Sequence, residues 1–208
     1  MKNVNDKIAY HYAKGIHSRA IYESGVLKPG RELVPENERP ILWFARCPQF
    51  DPTVYGTHVS LEPLTVSRMT ESESRKYYRG FIRFGLPLDR LKNWRLLRSE
   101  SGMTSDAARI MTEGGKSAGS NPALWYGLFD EVPVGECLIE REVSPRVWEE
   151  STLDEIVAWS DAMDEAPPTF WINPKNECGL DESISIGDSL GMKSHGSASF
   201  PPISFLTP

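Results

Sequence analysis

The apolar residues of this chain fall in short runs of strand length, separated by segments rich in glycine, proline and polar residues. Residues 8–13 alternate, with Ile8, Tyr10 and Tyr12 on one side of an extended chain and Ala9, His11 and Ala13 on the other. Residues 41–45 are a continuous apolar run between Pro40 and Pro48, too short for a helix and read as a buried strand. In 78–84, Arg79, Phe81 and Arg83 interleave with Tyr78, Gly80, Ile82 and Phe84, again a strand pattern. Two more strands are expected at 124–129 and 136–143, with the proline-containing stretch 130–135 joining them as a hairpin loop.

Helical signals lie between these runs. After Gly15, residues Ile16, Ala20 and Ile21 have helical spacing, and Gly25 is placed to end the helix in the left-handed conformation. Ser105 is a cap for a helix through Ala107, Ala108 and Met111 that ends near Gly114 and Gly115. Thr152 and Glu155 make a capping box for a helix carrying Leu153, Ile156, Val157 and Met163, stopped by Pro167 and Pro168. Residues 28–40 read as a loop. Strands that cluster toward the middle with interspersed helices predict an α+β class with mainly antiparallel pairing, not the strict alternation of a doubly wound sheet. From Asn173 onward the composition shifts to Gly, Ser, Asn and Pro, so one domain is expected over 1–172 and a loosely ordered tail over 173–208, held at points such as Phe200 and Phe205.

Composition narrows the function classes. A chain of 208 residues with 39% hydrophobic and 25% charged residues can bury one substantial core and lies far from the signature of disorder. The formal charge of -6, with no dense run of lysine or arginine, disfavours nonspecific nucleic-acid binding, and the acidity is too scattered for a DNA mimic. Cys47, Cys137 and Cys178 are odd in number and widely spaced, which fits reduced thiols rather than a disulfide framework. The polar start and the lack of any run of 18 apolar residues predict a cytoplasmic protein with no membrane span. His11, His17, His58 and His195 show no metal-binding spacing, so no metal is expected. Gly114-Gly115-Lys116-Ser117 is not a phosphate-binding loop, because Ile110 stands where its first glycine belongs and the segment follows a helix; it reads as a flexible turn. Trp94, Trp125, Trp148, Trp159 and Trp171 read as packing residues.

Tyr10-His11-Tyr12, then Ile16, Ile21, Ser24-Gly25-Val26-Leu27 and Pro29, then Leu42-Trp43-Phe44-Ala45, form an ordered constellation. A strand carrying a histidine, a helix closed by glycine and a second strand ending in an aromatic and a small residue resembles the opening of ADP-ribosyltransferase-like folds. The likeness extends to a group of uncharacterised bacterial proteins and runs over about residues 8–150. The resemblance implies a split β-sandwich of mainly antiparallel strands with peripheral helices. It further implies NAD as substrate, with His11 and Tyr12 positioning it and Phe44 packing on nicotinamide beside Ala45; Arg46, directly after the second strand, is placed as a charge-assisted donor to the pyrophosphate, against the competing reading of a lone surface arginine. A ribose needs a directional partner such as imidazole, and a pyridinium ring needs an aromatic face.

The same resemblance implies a glutamate near the start of a later strand, stabilising the oxocarbenium-like cation as nicotinamide leaves. Gly135-Glu136-Cys137-Leu138-Ile139 matches that place, with Cys137 where an aromatic is usual, and Glu140 lies on the same strand face as the alternative. The implied activity is transfer of ADP-ribose to a protein or nucleic-acid acceptor, as in a toxin, a phage effector or an RNA-processing enzyme. Tyr12 and Cys137 depart from the usual residues, which motivates the alternative of a noncatalytic protein- or nucleotide-binding module on the same fold. The competing structural readings are a satisfied strand histidine for His11, core for Phe44, and solvated edge carboxylates for Glu136 and Glu140.

Overall fold

The computed structural model describes residues 7–32, 34–47, 49–61 and 64–162. In chain order the elements are β1 (Ile8–Lys14), a 3-10 turn at Gly15–His17, α1 (Ser18–Ser24), β2 (Val26–Leu27), β3 (Leu42–Ala45), β4 (Thr57–Leu61), β5 (Leu64–Arg68) and α2 (Glu71–Tyr77). There follow β6 (Phe81–Pro87), β7 (Lys92–Asn93), α3 (Trp94–Glu100), α4 (Ser105–Ser117), β8 (Trp125–Leu128), β9 (Val132–Pro133), β10 (Leu138–Ser144), β11 (Val147–Glu150) and α5 (Leu153–Ala162). Seven strands make one sheet in the order β11-β10-β6-β1-β3-β8-β7, and two ribbons, β2-β9 and β4-β5, stand apart from it. The described strand pairs are all antiparallel, as an α+β chain with clustered strands predicts.

The period-two pattern of β1 explains why it sits centrally. Both of its faces are apolar, so both must be covered. Ala9 and Ala13 join Ile21, Leu42, Phe44, Ile82, Phe84 and Ile156 in one core, whereas Tyr10 and Tyr12 join Phe50, Met69, Tyr78 and Phe81 in another. Phe81, Ile82 and Phe84 have no exposed surface, and burying each side chain stabilises the fold by about 1.5 to 3 kcal/mol. The pairing of β1 with β6 runs through the whole strand, from Ile8 opposite Pro87 to Lys14 opposite Phe81. Its pairing with β3 is registered only at Tyr10 opposite Ala45. The sheet is thus two groups, β11-β10-β6-β1 and β3-β8-β7, joined at a narrow seam.

Several local expectations are corrected. The strand expected at 78–84 begins only at Phe81, because α2 precedes it and ends in a turn where Arg79 (φ 57) and Gly80 (φ 76) are both left-handed. That helix is nucleated by a Thr70/Glu73 capping box. Residues 130–135 do not join a hairpin: β8 pairs with β3 and β7, β10 with β6 and β11, and the connector supplies β9, which pairs with β2. Glu136 therefore lies in a 3-10 turn, Val134–Glu136, and not in the strand that starts at Leu138. Thr104, not Ser105, caps α4. Gly114 to Ser117 form the last turn of that helix, not a flexible loop, and a Cβ at Gly115 would lie 2.3 Å from the Trp125 ring.

Two helix-end readings hold. Gly25 ends α1 at φ 67 with its N–H bonded to the Ile21 carbonyl, and Thr152 and Glu155 cap α5 reciprocally at 2.7 and 3.2 Å. Met163, the Pro167-Pro168 stop, Trp171, Cys178, His195 and the tail 173–208 lie outside the described residues. Among the described residues no helix is long and apolar enough to cross a membrane, and no group of three metal-ligating side chains is present.

Candidate functional site

At the seam, His11 projects to the α1 side of the sheet. Its Nδ1 lies 2.8 Å from the Trp43 carbonyl on β3. A carbonyl only accepts, so Nδ1 carries the proton and Nε2 of the neutral ring is a bare acceptor. Nε2 is buried and has no partner among the described residues, a condition that costs about 1 to 3 kcal/mol unless something satisfies it. Burial pushes the His11 pKa down from 6.5 to about 4, against a smaller upward pull from the Trp43 carbonyl. The ring is therefore uncharged at neutral pH. Phe44 and Phe84 hold it, with ring centroids at 5.7 and 6.5 Å.

His11 forms part of the wall of a cavity of about 200 Å³ that is completed by Ala20, Ile21, Ser24, Val26, Leu27 and Lys28. Local sequence builds this wall. The left-handed Gly25 turns the chain sharply from α1 into β2, and Ser24 Oγ bonds across the turn to the Val26 carbonyl at 3.1 Å. The β2-β9 ribbon, with Leu27 opposite Val132, closes the outer side. Val134 N–H donates to the Gly25 carbonyl at 3.0 Å, so the turn carrying Glu136 is stitched to the corner that lines the cavity. At the rim, Lys28 Nζ lies 3.8 Å from Glu131, with both side chains about half exposed.

His11 also borders a smaller cavity of about 20 Å³, shared with Phe44 and with Tyr10, Tyr12, Asp51 and Trp125 of the other layer. The polar groups around Asp51 on its other wall are already bonded to one another. Asp51 accepts from Thr53 Oγ1 at 2.6 Å and from Ser120 Oγ at 2.7 Å, and Ser120 Oγ accepts from Trp125 Nε1 at 2.9 Å.

The residues singled out in the sequence divide between these sides. His11 and Phe44 meet, but Phe44 is buried against the histidine and borders the smaller cavity, not the larger one. Tyr12 faces the other way: its hydroxyl donates to the Cys47 carbonyl at 2.5 Å, and burial raises its pKa. Ala45 is in that same second core, opposite Tyr10. Arg46 is partly exposed and its backbone N–H is bonded to Leu124. Glu140 is gripped at 2.8 and 2.9 Å by Arg83, which lies over Tyr10 and Trp148 in the Tyr12 layer. Glu136 is half exposed and pairs with Arg90 at 2.6 Å. Cys137 is packed on the His11 side with its thiol pushed up to about 11 by burial, which makes it a poor nucleophile.

Lys28 and Glu131 were not indicated by sequence. Their proximity follows from the β2-β9 register, which joins residues about a hundred positions apart and leaves no local signal. No family model, no curated protein and no solved structure matches the chain.

Proposed function

We propose that the His11 cavity binds NAD and that the chain is an ADP-ribosyltransferase-like enzyme that releases nicotinamide and passes ADP-ribose to a protein, a nucleic acid or water. One observation carries this reading: a neutral histidine, fixed through Nδ1 and bordering the larger cavity, has no partner for its Nε2 acceptor among the described residues. Such an atom calls for a hydroxyl donor, and a ribose offers two. The narrow seam supports the finer fold reading of a split sandwich, since β1 and β3 are registered at a single pair, Tyr10 opposite Ala45, next to the histidine.

Cleavage places positive charge on the ribose, so a carboxylate must face it. Glu140 is committed to Arg83 on the far face. Glu136 is the better candidate, because its pair with Arg90 is half exposed, a kind of pair worth only about 0 to 1 kcal/mol. Its turn is anchored to Gly25 beside the cavity. In this mechanism His11 Nε2 accepts from a ribose hydroxyl, and Glu136 turns from Arg90 toward the ribose as the glycosidic bond breaks.

A binding-only role is the second reading, favoured by the absence of any carboxylate among the described residues that line the cavity. The deciding experiment measures nicotinamide release from NAD and thermal stabilisation by NAD for wild type, His11→Ala and Glu136→Gln. Release lost in both variants supports the enzyme. Stabilisation without release supports the module, and neither effect in wild type refutes the site.

A further inference from the structure

The cavity encloses only part of a dinucleotide such as NAD. Sites that enclose a drug-sized ligand span roughly 300 to 1,000 Å³, against about 200 Å³ here. A nucleoside-sized portion fits within, and the rest must leave across the rim. Among the described residues that line the cavity, Lys28 is the one charged side chain, since His11 is neutral and the others are apolar or hydroxylated. We infer that Lys28 is the phosphate subsite of this cavity and that Glu131 occupies its ammonium until a nucleotide displaces it. This inference rests on the reading that a nucleotide enters the His11 cavity.

The geometry of the resident pair supports exchange. Nζ and Oε1 stand 3.8 Å apart, with 47% and 57% of the two side chains exposed. That is the loose, hydrated kind of pair, worth about 0 to 1 kcal/mol. The other cations near this side are held more closely: Arg19 by Asp161 at 2.5 Å and Arg90 by Glu136 at 2.6 Å. A phosphate brings several acceptor oxygens and competes well for an ammonium so weakly engaged. The ribbon keeps both partners at the rim, because Val26 and Leu27 pair with Pro133 and Val132 while Gly25 holds Val134. Glu131 thus acts as a built-in competitor that a strongly anionic group displaces and a weakly charged one does not, and its removal should open the subsite.

The test is calorimetric titration of ADP-ribose, which cannot release nicotinamide, beside nicotinamide riboside and adenosine, which lack phosphate. Wild type, Lys28→Ala, Lys28→Arg and Glu131→Gln are compared at low and high salt. The expected result is a loss of about tenfold in ADP-ribose affinity for Lys28→Ala, corresponding to about 1.4 kcal/mol. The nucleosides should bind as before, Lys28→Arg should retain affinity, and Glu131→Gln should bind ADP-ribose a few-fold more tightly. High salt should shrink each difference. Equal ADP-ribose affinity in wild type and Lys28→Ala, or an equal loss for nucleosides, would overturn the subsite while leaving the cavity. A wild type that binds no nucleotide or nucleoside overturns both.

Discussion

Acid should destabilise this protein through His11, and the size of the effect follows from its surroundings. The ring is 3% exposed, and its folded pKa is about 4 against an ordinary 6.5. Between those values the unfolded chain binds a proton that the folded chain refuses, so stability rises with pH across the window and is lost as pH falls through it. At about 1.4 kcal/mol per pH unit, the full contribution is about 3 kcal/mol, of which about 2.5 kcal/mol disappears between pH 7.5 and 4.5. His11→Asn is the matched control: the amide keeps a donor near the Nδ1 position for the Trp43 carbonyl and cannot titrate. Urea unfolding of both proteins from pH 7.5 to 4.5 isolates the effect, because shifts at His17 or Glu71 are common to both and cancel. With a urea slope near 2 kcal/mol per molar, the wild-type midpoint should fall about 1 M further than that of the variant. Parallel pH profiles would refute the argument and mean that His11 is solvated or paired.

Gly80→Ala should destabilise by about 1 to 3 kcal/mol, since Gly80 sits at φ 76 and its Cβ would lie 2.4 Å from the Trp159 ring; thermal melting reads this, and an unchanged midpoint would contradict the close approach. Arg83→Met should cost about 3 to 5 kcal/mol by stranding the largely buried Glu140, and adding Glu140→Leu should restore part of the loss. Ser120→Ala should cost about 1 to 3 kcal/mol, because Asp51 and Trp125 Nε1 both lose a partner; tryptophan fluorescence during urea unfolding reports both the loss and the changed environment.

What the sequence revealed depended on range. Signals confined to one turn were legible: Gly25 as a left-handed stop and the Thr152–Glu155 box both depend on neighbours within four residues. The alternation in 8–13 was legible because both faces of β1 are buried, leaving no conflict between propensity and tertiary context. The strand at 78–84 was misplaced because Arg79 adopts a conformation that a non-glycine residue rarely takes, held there by the packing of Gly80 against Gly15 and Trp159. The partner of 124–129 was hidden because pairing of β8 with β3 is a long-range choice that loop composition does not encode. Around the site, His11 was visible as a residue, while Lys28, Glu131 and the burial that neutralises the imidazole come from contacts spread across the chain.

Strand register decides which glutamate shares a face with His11. His11 lies opposite Phe84, which lies opposite Ile139, so these three share a face; Tyr12, Arg83 and Glu140 are the corresponding set on the other. Bringing Glu140 to the histidine would require a one-residue slip of β10, and a slip turns every side chain of that strand over. Ile139 and Cys137 would leave the core they pack against, and Arg83 would lose its bidentate partner. The hydrophobic pattern therefore fixes Glu140 as a structural carboxylate. Glu136 escapes this constraint because it precedes the strand, in a turn whose backbone is tied to Gly25 rather than to the ladder. Any carboxylate chemistry at this cavity must come from a residue outside the pleat, and that requirement selects the Glu136 turn and the Glu131 ribbon as the places to look.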